Sequence, residues 1–196
     1  MRKITIAATA VFAIAGTAIG FTSEGNRRFR EFLDGLKEAP AVVSTTGNGT
    51  FRAEINDDET AINYALSFKD LEGDVRQAHI HIGLPQNSGG IVLWLCDTTA
   101  NPSPVASTPD CTVNDPGDLR NGTVRGTLTE ADIQNVAASG IAGPTATTPG
   151  EWAEVLALIR AGKTYVNVHS TKFPPGEIRS QLDNRGNDFN DHGHGR

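Results

Sequence analysis

Alternation is the feature that most constrains this chain. "GTFRAEIND" sets Phe51, Ala53 and Ile55 against Arg52 and Glu54. "TAINYALSF" sets Ile62, Tyr64, Leu66 and Phe68 against Asn63, Ala65 and Ser67. A period of two sends successive side chains to opposite faces of a strand, so each segment has one apolar face to bury. The acidic turn "DDE" between them completes a hairpin. "VRQAHIHIG" continues the pattern, with Ala78, Ile80 and Ile82 against Gln77, His79 and His81. "GTVRGTLT" resumes it. "KTYVNVHS" sets Tyr165, Asn167 and His169 against Val166 and Val168, and "GEIRSQL" sets Glu177, Arg179 and Gln181 against Ile178 and Leu182. "IVLWL" is apolar throughout and reads as a buried strand.

Three segments depart from this period. Phe29, Phe32, Leu33 and Leu36 fall at i, i+3, i+4 and i+7, which predicts a helical lead-in over 21–35. "TEADIQNVAASG" predicts a short helix capped by Thr129 and ended by Gly140. "TPGEWAEVLALIRAG" predicts another, with Trp152, Val155, Leu156 and Ile159 on one face and Gly162 as its stop. Several short strands without a βαβ rhythm define an all-β chain: a β-sandwich or Greek-key barrel with two short helical insertions. No internal repeat or linker divides it, and 196 residues suffice for one domain with its own core.

The N-terminus predicts export. Arg2 and Lys3 precede an apolar run from Ile4 to about Ile19, with small residues at Thr17, Ala18 and Gly20, so residues 1–20 read as a signal peptide. The run falls short of the roughly 20 apolar residues that span a bilayer. The expected location is secreted or periplasmic, with no membrane attachment after cleavage. In that compartment the only two cysteines, Cys96 and Cys111, are expected to form a disulfide across a Pro/Ser/Thr-rich loop. The net charge is −6, and −8 without Arg2 and Lys3, which disfavours nucleic acid and anionic membrane as partners. The tail 184–196 is polar and glycine-rich and reads as disordered, His192 and His194 included.

"LKEAPAVVSTTGNGTFRAEI", "AHIHIGLPQNSGGIVLWL" and "AGKTYVNVHSTKFPPGEIRSQL", in that order, resemble the CHRD domain, a module named after chordin and found in many exported microbial proteins. The resemblance covers about residues 36–183. It departs at Ser180, where the family pattern has glycine, and in the long loop between the cysteines. It implies a β-sandwich and places His79, His81 and His169 at characteristic family positions. In chordin these domains sit in an extracellular antagonist of bone morphogenetic proteins. The cysteine-rich modules that accompany them there have no counterpart in this sequence, so growth-factor binding is not carried over.

On a strand, His79 and His81 point to one side, about 6.6 Å apart at roughly 3.3 Å per residue. Both imidazoles can reach one metal at about 2.0–2.1 Å, and His169, on the polar side of another strand, is the natural third ligand. Three imidazoles suit one copper or zinc ion. The other reading leaves the pair on the solvent face of the sheet, hydrogen-bonded to neighbours such as Tyr165 or Asn167. Glu177 is a candidate to orient an imidazole from behind the first ligands. Arg179 would bind an anion or pair with Glu177 across the sheet. No G-x-S-x-G, H-E-x-x-H or reactive lone cysteine is present, so no catalytic residue is assigned. The expected function is a secreted, non-enzymatic binding or envelope-associated CHRD module for a protein or small ligand. The alternative is a mononuclear copper or zinc protein, redox or hydrolytic.

Overall fold

The computed structural model describes residues 27–112 and 116–183. The expected signal peptide, the first part of the lead-in and the polar tail lie outside the described residues. Eight strands form one antiparallel sheet: β1 (Arg28–Asp34), β2 (Asn48–Ile55), β3 (Ala61–Lys69), β4 (Val75–Ile82), β5 (Gly90–Cys96), β6 (Gly122–Thr129), β7 (Thr164–Ser170) and β8 (Ile178–Gln181). Their order is β5-β4-β7-β8-β1-β2-β3-β6, and the sheet curls into a nearly closed barrel. The all-β expectation holds.

Alternation decides what fills the interior. Phe51, Ile55, Ile62, Leu66, Ile80, Leu93, Val124, Val166, Val168 and Ile178 are buried together. Each side chain of this size contributes roughly 1.5–3 kcal/mol when fully buried. The β2–β3 turn is held by Asn56, whose Oδ1 accepts from the backbone N–H of Thr60 at 2.8 Å and of Ala61 at 3.1 Å. The edge strand β5 is met from the far half of the sheet by β3 and by the segment that follows β6. Tyr64 Oη on β3 donates to Leu95 O on β5 at 2.5 Å, and Gln134 N donates to Val92 O at 2.9 Å. At the other seam, β1 and β8 pair only at Asp34 and Arg179.

The expected helical lead-in is a strand where it is described. β1 runs alongside β2 with seven registered pairs, from Arg28 opposite Glu54 to Asp34 opposite Asn48. Phe29, Glu31 and Leu33 face inward, while Phe32 and Leu36 are 52 % and 74 % exposed. The same residues fit both periods, and the difference lies in what each would gain. A two-turn helix is marginal in water, whereas the strand completes a ladder on a waiting edge.

The first helical insertion is also replaced, by two 3-10 turns at Glu130–Asp132 and Ala137–Ser139. Thr129 does cap the first, through a reciprocal bond with Asp132. Beyond it the backbone bonds outward, from Gln134 N to Val92 O and between Val136 and Ile141, which leaves no i to i+4 ladder. The second insertion is a helix, α1 (Trp152–Arg160), and it buries Trp152, Val155, Leu156 and Ile159 as its spacing predicts. It docks on the β2–β3 turn, where Trp152 Nε1 donates to Glu59 O at 2.6 Å and Arg160 pairs with the Glu59 carboxylate. Cys96 and Cys111 are joined, as expected. Among the described residues no helix is long and apolar enough to cross a membrane.

Candidate metal centre

β4 carries His79 and His81, and β7 runs antiparallel beside it with Asn167 opposite His79 and Tyr165 opposite His81. Equal parity puts these four side chains and His169 on one face of the sheet. The three imidazoles converge there. Each ring offers one nitrogen, and the three nitrogens lie within 4.8 Å of one another. Trp94 on β5 stands edge-on to His79, with ring centres 4.2 Å apart.

The expected accessible surface is not what surrounds them. His79, His81 and His169 are 0 %, 7 % and 6 % exposed. The face that alternation assigns to solvent is covered by its own neighbours, among them Trp94, Tyr165 and the backbone at Gly89 and Pro174. Burial sets the electrostatics. Desolvation holds His81 and His169 down to about 4 and drives His79 lower still, so all three rings are neutral near pH 7.

Hydrogen bonding then assigns the protons. His81 Nδ1 lies 3.0 Å from Gly89 O, and His169 Nδ1 lies 2.9 Å from Pro174 O. A carbonyl only accepts, so both rings carry hydrogen on Nδ1 and present a bare Nε2. His169 Nε2 lies 3.1 Å from His79 Nδ1 and accepts its hydrogen. His79 Nε2 and His81 Nε2 are left buried with no hydrogen-bond partner. An unmatched buried polar atom costs about 1–3 kcal/mol. Two lone pairs without donors, beside a third ring, are what a metal ion satisfies. Backing of Nδ1–H by carbonyl oxygens is how ligand imidazoles are usually oriented.

The supporting residues divide differently from expectation. Tyr165 lies flat on His81, with centres 4.8 Å apart and planes 2° from parallel. Its Oη accepts from Gly89 N at 3.0 Å, so one residue is held by Tyr165 through its N–H and holds His81 through its carbonyl. Gly89 has to be glycine for this, since a Cβ there would fall 1.6 Å from Ile82 O. Glu177 orients no imidazole. Its Oε1 accepts from Thr45 Oγ1 and Glu72 N, both at 2.7 Å. Nor does it pair with Arg179, whose guanidinium stacks 3.4 Å from the centre of the Tyr165 ring and donates to Leu84 O and Asn87 O. Asn167 turns away from the histidines as well, donating to Glu38 Oε1 at 2.5 Å.

Sequence reasoning passed over four participants. Trp94 was legible only as part of an apolar strand. The Gly89 and Pro174 carbonyls carry no side-chain signal. Glu38, buried beside Asn167 and pushed up to about 7 by desolvation against the pull of Arg179, sits in a connection with no period to mark it.

The fold and the site together define a class: an antiparallel β-barrel-like domain with three histidines gathered on two adjacent strands. The chain belongs to the CHRD domain family, whose model matches residues 29–182 and so takes in β1 through β8. Neither a curated protein nor a solved structure matches the chain.

Proposed function

We propose that this CHRD protein is exported and holds one copper or zinc ion through His79, His81 and His169. The observation that carries the reading is the pair of buried, unpartnered Nε2 atoms on His79 and His81, beside His169, whose Nε2 accepts from His79 Nδ1–H and would give up that bond to ligate the ion. Neutral imidazole is a ligand for either metal, and no proton has to be displaced from these depressed rings before binding. A bound ion would supply a fixed positive charge and, for copper, one-electron chemistry. The chain's own contribution is to fix tautomers, exclude water and stack Tyr165 against His81.

Burial favours a holding role over a hydrolytic one. Hydrolytic zinc centres keep a position open to water or substrate, and these rings are almost wholly covered. The non-enzymatic reading and the metal reading therefore merge into a metal-carrying binding module. Export is supported by the basic and apolar N-terminus and by the Cys96–Cys111 disulfide. The test is metal analysis of untagged protein. One equivalent of copper or zinc is expected in the native chain and none in His79→Ala. A native chain that takes up neither metal overturns the reading.

A further inference from the structure

On the other half of the sheet, β1, β2, β3 and β6 present an outward face of unusual composition. Register places Arg30 opposite Arg52, Arg52 opposite Ala65, and Ala65 opposite Arg125. Three exposed guanidinium groups thus lie in one row across four strands, with a small residue in the gap. Strands are about 4.8 Å apart, so the row spans roughly 14 Å. Among the described residues, no side-chain hydrogen bond or ion pair engages the guanidinium groups of Arg30, Arg52 or Arg125. Of the nearby acids, Glu54 pairs with Arg28, Glu31 and Glu38 are buried, and Asp183, which lines the same depression as Arg30 and Arg52, is engaged in an interaction of its own.

Like charges placed directly opposite each other destabilise a sheet. The Arg30–Arg52 pair is therefore a standing cost in a chain that is acidic overall. The next row over reads Phe32, Thr50, Ser67 and Thr123, again in direct register. It combines hydroxyls with a phenyl ring that is half in solvent. Arg30 and Arg52 line two adjoining surface depressions of about 800 Å³ and 590 Å³, one reaching Phe32 and the other Arg125.

We infer that this face binds a linear acidic polysaccharide, with the arginine row taking carboxylates and Phe32 taking the apolar face of a sugar ring. Guanidinium groups bind carboxylates in a planar, two-pronged fashion. In the hydroxyl row Ser67 Oγ and Thr123 Oγ1 bond to each other at 2.9 Å, and Thr50 is left to meet sugar hydroxyls. The aromatic ring is what separates this surface from a merely cationic one. A nucleic acid would call for more positive charge than this acidic chain carries, and an anionic bilayer for an amphipathic or polybasic element.

The experiment is titration calorimetry of the full mature chain with polygalacturonate oligomers, run at several salt concentrations. Binding is expected, weakening as salt rises. The triple variant R30Q/R52Q/R125Q should lose roughly tenfold or more in affinity. Phe32→Ala should weaken binding even at high salt, and Arg76→Gln, on β4 in the other half of the sheet, should leave it unchanged. Arg52→Gln should also raise the melting temperature of the unliganded protein, which keeps loss of binding distinct from loss of fold. Absence of binding overturns the inference, as does binding unmoved by the triple variant. Equal affinity for neutral dextran, phosphatidylglycerol vesicles or duplex DNA overturns it as well.

Discussion

His79 and His169 stand ninety positions apart in the chain and 3.1 Å apart in space, Nδ1 to Nε2. Neither is opposite the other in the β4–β7 ladder, where His79 faces Asn167 and His169 faces Gln77. They meet on the diagonal. This makes the cluster depend on the register of one strand pair, because a slip of one residue would turn His169 to the other side of the sheet.

Added copper or zinc should stabilise the native chain. At a hundredfold excess over the dissociation constant, linkage gives about 2.7 kcal/mol. For a domain of this size that is a rise of roughly 5–10 °C in melting temperature. His169→Ala should show no rise, since the two remaining rings sit on a single strand. A shift of equal size in that variant would place the ion elsewhere.

Arg179→Lys should weaken metal binding roughly tenfold while leaving the fold intact. Arg179 clamps the connection between β4 and β5 through Leu84 O and Asn87 O, and caps Tyr165. Lysine keeps the charge but has neither the planar stack nor the fork. Competition titration with a chelator reads the affinity, and circular dichroism reads the fold. Unchanged affinity would mean that Gly89 holds His81 without this support.

Glu38 should make stability fall as pH rises from about 4.5 to about 7. Its carboxyl is raised to about 7 in the folded chain, from an ordinary value near 4.5, chiefly by burial. The native state therefore holds a proton that the unfolded state releases between those values. The contribution is complete below pH 4.5 and is lost as pH rises through about 7, a matter of about 1–3 kcal/mol. Glu38→Gln keeps the oxygen that accepts from Asn167 and has no proton to lose. Urea midpoints should then drop between pH 5 and pH 8 for the native chain and stay closer to level for the variant.

Leu33 and Leu36 separate the strand from the helix that their spacing suggests. A helix would bury both, whereas β1 buries Leu33 fully and the 3-10 turn after it, Gly35–Lys37, leaves Leu36 in solvent. Leu33→Ala should cost about 2–5 kcal/mol, and Leu36→Ala less than about 0.5. Comparable losses at the two positions would contradict the observed end of β1 and the burial that goes with it.

The β2–β3 hairpin, β4, β7 and α1 could be read directly because in each a single period ran long enough to leave no competitor. β1 could not, since Phe29 and Leu33 satisfy both periods and only the edge of β2 decides between them. The convergence of three histidines was legible from parity on two strands. Their burial was not. Alternation says which side of a sheet a residue occupies, and nothing about what later folds over that side. Tyr165 was named for its place beside the histidines, yet its route to His81 runs through a glycine peptide that leaves no mark in the pattern of side chains.

The two ends of the sheet carry a further consequence. A bare strand edge is a template on which another chain can add itself, and long exposed edges are where proteins begin to aggregate. Here β5 has given up that role. Val92 O is taken by Gln134 N, Leu95 O by Tyr64 Oη, and just past Cys96 the Asp97 peptide bonds to Pro109 O and Cys111 N. An incoming strand meets acceptors that are already occupied, beside a loop tethered across its path by the disulfide. Copies of this protein crowded together are thereby denied edge-to-edge growth along β5, by backbone groups and one buried tyrosine hydroxyl that no single surface substitution removes.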